Sequence, residues 1–139
     1  MIPYIVAAAV VVLVAVAIIV LRRPRTLKVE HFQKKWKELQ ANLRDKATWP
    51  VAIMNADKLL DEALKKKRVG GSSTGERLVA AQRMFTDNDG VWSAHKLRNK
   101  VEQESDAKLK EAEVKDALVD FRQALKDLGA LGDGKQRNS

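Results

Sequence analysis

The chain has 139 residues, no cysteine, and 26 basic against 18 acidic side chains, for a net charge of +8. The missing cysteine excludes a disulfide framework and thiol chemistry. Past an apolar beginning, little more than 100 residues remain, enough for one modest hydrophobic core and not for two domains.

The first charged side chain is Arg22, so Ile2 to Leu21 is an unbroken run of uncharged residues, thirteen of them Val, Ile or Leu. A bilayer core of about 30 Å takes about 20 apolar residues as a helix, so the run predicts a transmembrane anchor over residues 1–21. Its aliphatic residues favour insertion by roughly 4–8 kcal/mol on a translocon scale. A cleaved signal peptide needs a positive beginning and a shorter apolar core, and neither is present. Arg22, Arg23, Arg25 and Lys28 follow the run, with nothing comparable before it. The positive-inside rule then expects a single-pass protein of the cell (plasma) membrane, N-terminus outside and the remainder cytoplasmic. Residues 22–47 hold a net +6, leaving +2 for residues 48–139. The basic balance is therefore first a signal for an anionic bilayer surface, with the lipid bilayer as the first expected partner.

Residues 22–48 predict a basic juxtamembrane amphipathic helix, with Val29, Phe32, Trp36, Leu39 and Leu43 spaced by three and four. Thr48-Trp49-Pro50 interrupts it: Thr48 is a candidate N-cap, and Pro50 is tolerated in a first turn. Ile53, Ala56, Leu59, Leu60, Ala63 and Leu64 mark the face of the next helix. Whether residues 29–64 form one kinked helix or two stays open. After a Val69–Ser72 loop, Ser73 and Glu76 have the spacing of a capping box, opening a short helix with Leu78, Ala81, Met84 and Phe85 inward. Thr86 to Asp89 offer caps for a helix whose apolar series runs through Val91, Trp92, His95 or Ala94, and Leu97 to Val101. Val114, Ala117, Leu118, Phe121, Leu125 and Leu128 mark the last helix, with Gly129 as its C-cap. No period-two pattern occurs. The expected fold is all-α: one transmembrane helix, then a four- to five-helix cytoplasmic bundle over residues 49–128 packing with 29–48, and a disordered tail over 129–139.

Chemistry-bearing constellations are sparse. His31 and His95 lack the spacing of a metal or catalytic pair and are expected at the surface or in packing. Asp87-Asn88-Asp89-Gly90 lacks the acidic series and closing Glu of a calcium loop and reads as a capping cluster. Gly70-Gly71 lacks the strand and spacing of a phosphate-cradling loop, and no cofactor is expected. Trp36, Trp49 and Trp92 are expected as core or interface anchors.

Arg98-Asn99 followed by three residues and a polar Gln103 is more informative. This segment resembles the signature of the HEPN superfamily, small helical bundles, often dimeric, many of which cut RNA. Trp49-Pro50, Ala56 to Leu64 and Gly75 to Leu78 are similar to the preceding helices of bacterial proteins with such a domain, so the resemblance covers residues 30–128. It implies roles for Arg98 and Asn99, and it implies a histidine where this chain has Gln103. An amide does not titrate near neutral pH and cannot act as the acid or base. Arg98 also has Glu102 at i+4, the spacing of an ordinary helix ion pair. The leading expectation is a membrane-tethered, HEPN-like interaction module without catalysis, binding an unidentified protein partner or a second copy of itself. The alternatives are a membrane-associated ribonuclease or RNA-binding protein using Arg98, and a structural single-span anchor or coiled-coil subunit.

Overall fold

A computed structural model describes residues 2–22, 27–104 and 108–132. The described residues form six α-helices and no strand: α1 (Ile2–Arg22), α2 (Val29–Gln40), α3 (Trp49–Lys66), α4 (Thr74–Ala80), α5 (Asn88–Gln103) and α6 (Glu111–Asp127). The all-α expectation holds for this part of the chain.

The membrane expectation is corrected. Among the described residues, no helix is long and apolar enough to cross a membrane. Helix α1 runs Ile2–Arg22, and its described side chains, residues 3 to 19, are exposed. The transmembrane span over 1–21, the single-pass topology, the plasma-membrane location and the cytoplasmic placement of the bundle are withdrawn together, because each rested on that span. The side chains of Arg22, Arg23 and Arg25 lie outside the described residues. Lys28 is exposed at the position before α2.

The core is built around α3, which packs against α2, α5 and α6. Its apolar positions Ile53, Ala56, Leu60, Ala63 and Leu64 are all fully buried, as the three-and-four spacing requires. Phe32, Trp36 and Leu39 of α2 meet them from one side; Val114, Leu118, Phe121 and Leu125 of α6 meet them from the other. A phenyl ring as completely buried as Phe121 contributes roughly 1.5–3 kcal/mol. Met84, expected inward, is exposed, while Leu78, Ala81 and Phe85 are buried.

Residues 29–64 are two helices. Two short 3-10 turns, Ala41–Leu43 and Lys46–Thr48, reverse the chain between α2 and α3. Thr48 does not cap α3; its hydroxyl donates to the carbonyls of Asn42 (2.5 Å) and Asp45 (2.9 Å) and ties the turns together. Trp49 Nε1 adds a bond to the Leu43 carbonyl at 3.0 Å. At the other end of the hairpin His31 meets Glu62, so α2 and α3 run antiparallel.

Two helix ends show where local chemistry overrides the obvious signals. α3 closes on Arg68, with φ of 62°. The Val69 amide reaches the Leu64 carbonyl and the Arg68 amide that of Lys65, a Schellman pattern. Glycine is the usual residue at such a position, and Gly70 and Gly71 lie just beyond. Closing at Arg68 lets Val69 pack on the core. α6 ends in the same pattern with Gly129 at φ 79°: Ala130 N–H bonds Leu125 and Gly129 N–H bonds Lys126. Ala130 and Leu131 are thereby buried, so packing extends past the expected boundary at residue 128. Residues 133–139 of the expected tail lie outside the described residues.

Candidate functional site

Arg98 lies in the middle of α5, whose start is fixed by Asp87 accepting from the Gly90 amide at 2.9 Å. Three residues earlier on the same face is His95, buried against α3. Its Nδ1 is 2.8 Å from Oδ1 of Asp57, an aspartate only 2% exposed. The imidazole also stands nearly perpendicular to the Trp92 ring, with ring centres 5.9 Å apart. Arg98 approaches the same aspartate from the solvent side, Nε 3.4 Å from Oδ2. That Nε is buried and makes no aligned hydrogen bond, so the contact with Asp57 is charge attraction at ion-pair distance. The outer guanidinium nitrogen Nη1 pairs with Glu102 and donates to Asn99 Oδ1 at 3.1 Å. The pairing of Arg98 with Glu102 is the one the i+4 spacing announces.

The arrangement neutralises a buried carboxylate. Asp57 would be costly alone in the interior, and His95 and Arg98 supply its partners. Gln103 is the last residue of α5 and is exposed, five positions beyond Arg98. The structure thus brings Arg98 and Asn99 together in one hydrogen-bonded group and leaves Gln103 at the helix end. General acid or base work needs the transferring atom within about 2.6–3.2 Å of the substrate. The imidazole faces Asp57 on one side, and its residue is 7% exposed.

Asp57 and His95 are the pair that sequence reasoning missed. Asp57 follows Ile53 by four and precedes Leu60 by three, which places an acid on the apolar face of α3. His95 likewise falls within the apolar series of α5. An acid and a base each set on an inward face carry the information, and a partner 38 residues away is not written in either segment.

A second ion-paired group fastens α4. Arg77 donates to both oxygens of Asp61, Nε at 2.6 Å and Nη2 at 3.1 Å, and its Nη1 reaches the Gly71 carbonyl at 2.7 Å. Gly71 has φ of 151°, and a Cβ there would lie 2.9 Å from the Arg77 amide nitrogen, so only glycine allows this approach. Burial pushes the Asp61 carboxyl up, but hydrogen bonds from Arg77, Lys65 and Thr74 outweigh it and hold the group below its ordinary value. The expected capping box is present with a shifted return: Ser73 Oγ accepts from Glu76, while the Glu76 carboxylate accepts from Ser72.

Two of the grooves at the surface are lined by several opposed charges. One, of about 420 Å³, lies between α2 and α3 and is lined by His31, Lys35, Glu38, Asn42, Asn55, Lys58 and Glu62 over Leu39 and Leu59. The other, of about 380 Å³, lies between α5 and α6, with Lys96 and Lys100 facing Glu113, Asp116 and Asp120. Burial, then Asp87 and Asp116, push the Asp120 carboxyl above its ordinary value. Among the described residues, no group of three or more His, Asp or Glu is placed to hold a metal ion. No family model, no curated protein and no solved structure matches this chain.

Proposed function

We propose that the bundle is a HEPN-like interaction module that binds a protein partner and does not catalyse RNA cleavage. The observation that carries this reading is the commitment of Arg98: its guanidinium is shared among Asp57, Glu102 and Asn99. A phosphate-binding arginine must present its fork of donors to the ligand. The residue at the expected histidine position is Gln103, which holds no proton to exchange near neutral pH. His95 does not replace it, being buried and turned to Asp57.

The test is incubation of the full chain with single-stranded and hairpin RNA, with Arg98→Ala in parallel. The expected outcome is no cleavage above a buffer control by either protein. Cleavage by the natural chain that disappears in the variant overturns the proposal.

A further inference from the structure

We propose that the groove between α2 and α3 binds a short acidic peptide of a partner protein, an inference that rests on the interaction-module reading. From His31 to Asn42 the groove follows eleven helical steps, roughly 16 Å at about 1.5 Å each. That length accommodates about five residues of extended chain at about 3.3 Å per residue. Its floor is apolar, Leu39 and Leu59, and suits an aliphatic side chain.

The walls state the charge of the occupant. Glu38 is met by Lys35 at 3.6 Å, and Glu62 by His31 at 2.9 Å and Lys66 at 3.6 Å. Lys58 lines the same groove and has no ion-pair partner among the described residues. An ammonium left over in a groove whose own carboxylates are occupied selects a carboxylate from outside.

The amides state its class. Asn42 and Asn55 face the groove, and their side-chain amides have no hydrogen-bond partner among the described residues. Each offers donors and an acceptor together, which complements a peptide unit. A phosphate chain accepts only and would leave the amide oxygens of Asn42 and Asn55 without a donor. A peptide with one acidic side chain beside an apolar one satisfies floor, walls and amides at once.

The experiment is selection of a random heptapeptide library on the full chain, followed by affinity measurement of an enriched peptide. Enriched sequences are expected to carry Asp or Glu next to an aliphatic residue. Lys58→Glu is expected to weaken binding roughly tenfold, the order of one exposed charge contact turned repulsive. Asn55→Ala weakens it less, and Lys96→Glu in the other groove leaves it unchanged. Lys58 and Asn55 are exposed, so the variants fold. The inference is overturned by no enrichment, by enrichment without acids, by affinity indifferent to Lys58→Glu, or by single-stranded RNA outcompeting the peptide. Peptide binding that ignores Lys58→Glu removes the groove and leaves the module reading standing, whereas Arg98-dependent RNA cleavage removes the module reading itself.

Discussion

The two faces of α3 treat charge in opposite ways. Toward α5, Asp57 is sealed in and satisfied by His95 and Arg98; toward α2, Asn55, Lys58 and Glu62 stand along an open groove. The first face holds one charge that the fold cannot leave alone, so its partners are fixed and spent on stability. The second holds an amide and an ammonium that water satisfies in the free protein and that a ligand can take over, beside a carboxylate already paired with His31 and Lys66. A polar residue close to a signature motif is thus no guide to function until its partners are counted. Here Arg98, on which the sequence resemblance rested, is occupied, while Lys58 has no carboxylate partner among the described residues.

The sharpest way to break that contrast is Asp57→Ala. It leaves a buried imidazole and a partly buried guanidinium without their carboxylate. Removing one partner of a buried ion pair costs about 3–5 kcal/mol. Arg98 keeps Glu102, so the lower end of that range is expected, read as a shift of the urea unfolding midpoint at unchanged slope. A loss below about 1 kcal/mol means that water reaches the cluster, and the distinction between the faces then falls.

How much of this was legible depended on the range of the interaction. The helix faces were legible, because burial follows a local spacing: every apolar position assigned to α3 and α6 is buried. The Arg98–Glu102 pair was legible for the same reason. The Asp57–His95 pair was not, since it joins helices distant in the chain. Thr48 misled because a hydroxyl can bond backward to Asn42 and Asp45 as readily as forward to the helix. Arg68 took the left-handed position beside two glycines because the packing of Val69 decided where α3 stops. The membrane anchor was inferred from a run of composition alone, and among the described residues no helix is long and apolar enough to cross a membrane. For the groove, sequence supplied the residues but not their opposition, which arises only when the α2–α3 hairpin closes.

Asp61 lies between the two extremes, on α3 but half-covered by Arg77. Arg77→Ala removes a forked charge-assisted contact and should cost about 2 kcal/mol, within the usual range for hydrogen bonds to charged groups. The pH dependence follows from Asp61, whose carboxyl is held below its ordinary 3.8. A depressed acid adds stability above its unfolded value and loses it as pH falls through the folded one. The natural chain should therefore lose this increment below about pH 4, and Arg77→Ala should show a shallower loss there. Parallel acid titrations would show that Asp61 is not held by Arg77.

Asp120 at the α5–α6 groove reverses the sign. Its carboxyl is raised by burial and by Asp87 and Asp116, so its favourable term is fully present below the unfolded value and lost as pH rises through the folded one. Asp120→Asn should stabilise the protein at pH 7 by about 0.5 kcal/mol, since the group is partly solvated and its repulsions are screened. The gain should vanish below the carboxylate range. A gain unchanged between pH 3 and pH 7 would point to the amide's packing instead of the charge.

The smallest effect is the one that most sharpens the comparison. Lys58→Glu and Asn55→Ala should each change stability by less than about 0.5 kcal/mol, as expected for exposed helix positions without buried partners. Lys58→Glu also places an acid four residues before Glu62, and like charges at that spacing cost only about 0.2–0.5 kcal/mol on a helix surface. If either substitution costs as much as Arg77→Ala, the groove is part of the fold's own support and not a surface held open. If both are silent while Asp57→Ala is severe, α3 separates the two uses of charge within a single turn. Asp57 and Lys58 are consecutive residues, about 100° apart around the helix, and that rotation alone carries one into the core and the other to the groove.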